Sequence, residues 1–324
     1  MIRSLLVGLL LTLGPAAAQA AESPDRYPSK PITIIVPFSA GGPADNVTRY
    51  IANQLGKTWN QQVVVENRTG AGGMIGAEAV ARAAPDGYHL VLLVTGHTIM
   101  PGMQASMPYR MPQDFTGITV VNRAPKLVVV HPSVPVASFA ELIEKVKQEP
   151  GKYGSYGTSG VGSMAHLSME LVNKLAGTKF VHIPYKGGGA TQADLVAGRL
   201  PIGVLDLGSV LPHVQAGSLK VLAVTSDTRS PLFPDVPTIA EVIPNFQATE
   251  WFGIAGPKGV PPAIADKLQA AIKAALSTPE ARTRYIEGLG WELPASTPKE
   301  MDEVLASQTV KWGALVKELG LKAQ

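Results

Sequence analysis

Ser159, Ser163 and His166 share one short glycine-rich stretch. A hydroxyl nucleophile needs a base within hydrogen-bond reach. His166 follows Ser163 by three residues, which places both on one face of a helix. The same residues serve equally as helix caps or ligand contacts, and that reading is taken here. An exported serine hydrolase using Ser159 or Ser163 with His166 is the competing one. No G-x-S-x-G elbow exists. The run Gly160-Val161-Gly162-Ser163-Met164-Ala165 fits G-x-G-x-x-G/A, but the next strand ends in Pro184-Tyr185-Lys186 where a dinucleotide site wants an acid. The chain has no cysteine, and its histidines at 89, 97, 131, 166, 182 and 213 show no metal-ligand spacing. Neither a cofactor nor a metal is expected.

The stretch 31–55 is either an ordinary βα turn or a seat for an anion. Ile32 to Val36 is a β-branched run, Phe38 to Pro43 turn on a glycine pair, and Val47, Ile51 and Leu55 recur at helical spacing. A strand, a glycine loop and a helix start follow one another. First-turn N–H groups lack intrahelical partners, and the helix dipole adds positive potential there. Such a loop is a seat for a carboxylate or phosphate. Asp45 and Arg49 sit four residues apart just beyond it. Asp206, at a predicted strand end, is either a contact for a ligand amine, hydroxyl or water, or a loop N-cap. Lys186 is either a direct partner of an anion or a solvated lysine.

The elements that must position these groups alternate. Val63–Val65 and Leu90–Val94 read as strands and Ile75–Ala84 as a helix. Their loops at 38–43, 67–73 and 95–98 converge, bringing in Thr95 and His97. This pattern predicts a parallel sheet with helices on both faces, its ligand outside the carboxyl ends of the strands. A second series follows, with predicted strands at 127–130, 153–156, 180–183, 202–205 and 219–225. Helices are expected at 139–147, 164–175, 191–197 and 212–216, then at 262–276 and 298–319, with a further strand at 248–255. The fold class is α/β, two domains facing one another across a ligand cleft. Domain 1 is expected at 21–122 plus 235–324 and domain 2 at 123–234.

The first twenty residues stand apart: Arg3, an apolar run Leu5–Leu13, and Ala18-Gln19-Ala20 make a secretory signal peptide cut after Ala20. The expected compartment is a bacterial periplasm. The rest of the chain suits a packed core, with 45% hydrophobic and 16% charged residues overall. Net charge is +3, or +2 without Arg3, too weak and scattered for a nucleic-acid groove.

Six blocks, in order, resemble the Bug-type periplasmic substrate-binding proteins of tripartite tricarboxylate transporters. They are YPSKPITIIVPFSAGGPAD, VVVENRTGAGGMIGAEAVARAAPDGY, YGTSGVGSMAHL, VHIPYKGGGATQADLVAGRL, LPHVQAGSLKVLAVTSDTRSPLFPDVPTIAEV and WFGIAGPKGVP. The resemblance implies a Venus-flytrap protein that closes on a small carboxylate: a di- or tricarboxylate, an acidic amino acid or an aromatic acid. It implies delivery to a permease of one large and one small subunit, with a monomer as the default state. One ligand carboxylate would sit at Phe38, Ser39, Ala40, Gly41 and Gly42. The rest would meet Thr158, Ser159, Gly160, Ser163, His166, Tyr185, Lys186, Gly187 and Asp206. Pro43-Ala44 replaces a glycine and a threonine common in the family, which removes one backbone donor. A ligand-binding sensor for a membrane kinase is an alternative to transport.

Overall fold

The computed structural model describes residues 23–104, 106–185 and 187–322. The expected signal peptide and Lys186 lie outside the described residues.

Among the described residues, ten strands form two five-stranded sheets. The first has the order β2 (Val63–Asn67), β1 (Ile32–Val36), β3 (His89–Val94), β10 (Glu250–Pro257) and β4 (Phe115–Ala124). The second runs β7 (Val181–Pro184), β6 (Ser155–Thr158), β8 (Ile202–Asp206), β5 (Lys126–Val130) and β9 (Lys220–Val224). In each, three strands are parallel: β1 with β2 and β3, and β6 with β7 and β8. The first three strands are parallel as expected, and the sheets become mixed at β10 and β5. The former is antiparallel to β3 and β4, the latter to β8 and β9. The physical reason is connectivity. A strand that enters from the other sheet, rather than through a helical crossover, has no need to run parallel.

Both faces of each sheet are covered, and the strands alternate between them. In β1, Ile32, Ile34 and Val36 enter one core while Ile35 enters the opposite one; in β5, Val128 and Val130 oppose Leu127 and Val129. That accounts for unbroken apolar strands instead of an apolar–polar alternation.

The chain passes between sheets at Pro125 and again through 225–249. Ile239, Ile243, Phe246 and Ala248 pack into a core of the second sheet, beyond the 234/235 boundary expected from sequence. The Pro298–Glu318 helix joins both: Met301 and Leu305 are buried against the first sheet, Trp312, Leu315 and Val316 against the second. It crosses the Thr95–Met103 helix where a Cβ on Gly102 would lie 3.0 Å from Gly313 Cα. The approach needs a glycine at 102, whereas a Cβ on Gly313 would meet nothing within 4 Å.

Candidate functional site

Of the parallel strands, β1, β2, β6 and β7 end in glycine loops, while β3 and β8 run straight into helices. After β1, the Pro43–Trp59 helix begins at Gly42 with no side-chain cap, and Pro43 occupies its first turn. Proline suits that position, because its missing N–H would be unpaired there in any case. Pro43 therefore takes nothing from the helix itself. Ser39, Ala40 and Gly41 are exposed. Gly41 has φ +83°, and a Cβ there would meet nothing within 4 Å.

Asp45 builds this loop instead of lining it. It is 2% exposed. One oxygen accepts from the Gly41 N–H and Arg49 Nε, both at 2.9 Å; the other accepts from Asn67 Nδ2 at 2.8 Å. Asn67 also donates to the Phe38 carbonyl at 3.0 Å. Burial works against the Asp45 charge, but the bonds from Arg49, Gly41 and Asn67 outweigh it and hold the carboxyl below its usual range. The Gly41 N–H is thus committed, which corrects its place as an anion donor, and Asp45 is a brace and no ligand contact.

Thr95 and His97 are likewise corrected as direct contacts. The expected 95–98 loop is the first turn of a helix, and both side chains are fully buried. Thr95 Oγ1 accepts from Trp251 N–H at 2.9 Å, and His97 Nδ1 accepts from Val94 N–H at 3.0 Å. Burial pushes His97 down to about 4. Phe38, half-buried, sets its ring edge-on to His97.

The loop after β6 consumes its own donors. Ser163 Oγ donates to the Gly160 carbonyl at 2.8 Å and accepts from His166 N–H at 3.2 Å, capping the Met164–Ala176 helix. His166 Nδ1 accepts from Gly162 N–H at 3.1 Å. The buried Thr158 side chain bonds His182 Nε2 at 2.7 Å and accepts from Gly160 N–H at 3.2 Å. The His166 and His182 rings stack 4.0 Å apart, and burial pushes each down to about 4. Thr158 and His166 therefore shape the loop from behind, while Ser159 is exposed and Gly160 half-exposed. Ser163 Oγ meets the backbone N–H of His166, with no bond to its ring among the described contacts. The hydrolase reading lacks its nucleophile–base pair.

Two further loops complete the second side. Tyr185 donates its hydroxyl to Asp194 at 2.8 Å, and Gly187 donates its N–H to the Ser159 carbonyl at 3.2 Å. Gly187 opens the Gly188–Val196 helix without a side-chain cap. Asp206 is exposed and does not make the N-cap bond. It begins the Leu207–Gln215 helix, and its Oδ1 accepts from Lys126 Nζ at 2.6 Å. The same ammonium bonds Glu250 Oε2 at 2.7 Å. Sequence reading missed Lys126 and Glu250, which are 124 positions apart. The only local signal was a lone lysine opening an apolar strand.

The family model described as the tripartite tricarboxylate transporter family receptor matches residues 47–321. The chain is 36% identical to protein BugT of Bordetella pertussis, over 98% of each chain. It is 32% identical to R. palustris Rpa4515, solved with adipate, with a TM-score of 0.74 over 91% of this chain and 99% of that one. It is 30% identical to MatC (Rpa3494) from Rhodopseudomonas palustris, solved with bound malate, with a TM-score of 0.70 over 90% and 100%.

Proposed function

The chain belongs to the tripartite tricarboxylate transporter receptor family, and on that premise we propose that this solute-binding protein captures a small organic carboxylate in the periplasm. It then delivers the ligand to a membrane permease of large and small subunits. The supporting observation is the uncapped helix start at Gly42, behind an exposed loop braced by Asp45. Backbone N–H groups and the helix dipole serve a carboxylate there without a cationic side chain. The uncapped start at Gly187 offers the same to a second carboxylate, which favours dicarboxylates, as do the adipate and malate of the two relatives.

In this reading Phe38 to Gly42 receive one carboxylate, with Ser159, Gly160, Tyr185, Lys186, Gly187 and Asp206 around the rest. The lobes close about the crossings at Pro125 and 225–249, and the protein acts as a monomer. A thermal-shift screen of residues 21–324, unfolded and refolded to strip ligand, tests it. A dicarboxylate at a hundred times its Kd stabilises by about 2.7 kcal/mol, which raises Tm by a few degrees. No shift with any mono-, di- or tricarboxylate overturns the reading.

A further inference from the structure

Lys126 opens β5, one residue past the Pro125 crossing, and its bonds reach both sheets. Asp206 ends β8 in the second; Glu250 opens β10 in the first. The Lys126 side chain is 11% exposed, Glu250 22% and Asp206 65%. Burial alone would push the ammonium down, but Glu250 and Asp206 outweigh it and hold Lys126 above its usual range. The ammonium therefore stays charged at neutral pH and spends two of its three donors on these carboxylates. Two carboxylates against one ammonium leave one net negative charge on the side where β6, β7 and β8 end in their loops.

A protein that takes up an anion gains nothing electrostatically from that charge. It does gain from limiting it. We propose that Lys126 is a positioning residue for ligand capture: it ties a strand end of each lobe together through Asp206 and Glu250, and it offsets one of the two negative charges that an incoming carboxylate meets at the hinge side of the cleft. The inference rests on the carboxylate-binding reading above. Loss of the ammonium would leave two carboxylates facing an anionic ligand, a repulsion that salt screens. A clamp with only a structural role has no such salt dependence.

Calorimetry with malate and adipate, at about 20 mM and about 500 mM salt, tests this on the wild type and on K126R, K126M, E250Q and K126M/E250Q. Lys126→Met is expected to weaken binding by roughly tenfold or more at low salt, with the deficit shrinking at high salt. Lys126→Arg keeps the charge and stays near the wild type. K126M/E250Q returns the cluster to one negative charge and recovers part of the loss. Glu250→Gln leaves the cluster neutral and tightens binding. Should K126M fail to fold, E250Q and K126R carry the test alone. Unchanged affinity in K126M, a loss that neither salt nor the double variant relieves, or unchanged or weaker binding in E250Q overturns the proposal. A wild type that binds neither ligand, nor any other carboxylate in the screen above, overturns the carboxylate reading itself.

Discussion

The loops at 38–43 and 159–163 look alike as strings: each follows a strand, carries two glycines and precedes a helix. Their polar groups do opposite things. In the second loop Ser163 caps the helix, His166 takes the Gly162 N–H and Thr158 takes the Gly160 N–H. In the first, the brace comes from Asp45 and Asn67 behind the loop, and the helix start stays without a side-chain cap. Some helices elsewhere resemble the second loop, where Ser138, Thr238 and Thr297 bond their own first turns; others, Met74–Ala81 and Pro262–Leu276 among them, start without a side-chain cap like the first. Glycine content therefore does not identify a ligand seat. A proposed seat needs, besides glycines, an exposed loop at a strand end and a helix start whose donors the chain has left unspent.

The largest test of this contrast is Gly41→Glu. It places bulk and negative charge in open space at the first seat and is expected to weaken carboxylate binding by roughly a hundredfold or more, about 2.7 kcal/mol. Circular dichroism should show an intact fold; near-normal affinity would break the assignment of the seat. Asp45→Ala comes next. It removes a buried acceptor of three bonds, and is expected to cost about 2–3 kcal/mol of stability and roughly tenfold in affinity. A drop in Tm without a drop in affinity would make the brace irrelevant to the seat.

Acid should separate the loops by a different route. His166, His182 and the first lobe's His97 are held near 4 in the folded state, below their ordinary 6.5. The unfolded chain takes up these protons first, so the stability they confer is complete above pH 6.5 and is lost as pH falls towards 4. Tm measured from pH 7.5 to 4 should fall, and less so in His182→Gln; an unaltered slope would remove the stacked pair from the account. Ser163→Ala is the smallest effect: loss of one cap, about 1 kcal/mol, with affinity within about twofold. A large loss of binding there would make the second loop a seat in its own right.

Much of this architecture is legible locally. The strand, loop and helix of 31–55 carry their own β-branched run, glycines and helical spacing, and the Pro262–Leu276 helix has its expected bounds. What sequence reading missed depends on distant partners or on residues that mislead. Strand β4 pairs along its whole length with β10, more than a hundred positions away, and no turn announces it. Gly96 and Pro101 conceal a helix beginning at Thr95. Pro212 suggested a helix start but lies inside Leu207–Gln215. At the proposed site, the strand–loop–helix form of 31–55 was readable because glycine chemistry is local. The commitment of the Gly41 N–H to Asp45, and the inward turn of Thr95, His97 and Thr158, were not, because burial is a property of the assembled sheets.

The Pro298–Glu318 helix bears on how such a cleft moves. Its first half is anchored in one core and its second in the other, and it lies backbone to backbone against Gly102. Any change of angle between the sheets must bend it or slide it. Between the two anchors, Ser307 and Thr309 bond carbonyls one turn back, a pattern that bends helices. The helix is then a leaf spring laid across the hinge. On the proposed closure, the work of flexing it would enter the measured affinity for every ligand alike, whatever the loops do to tell one ligand from another.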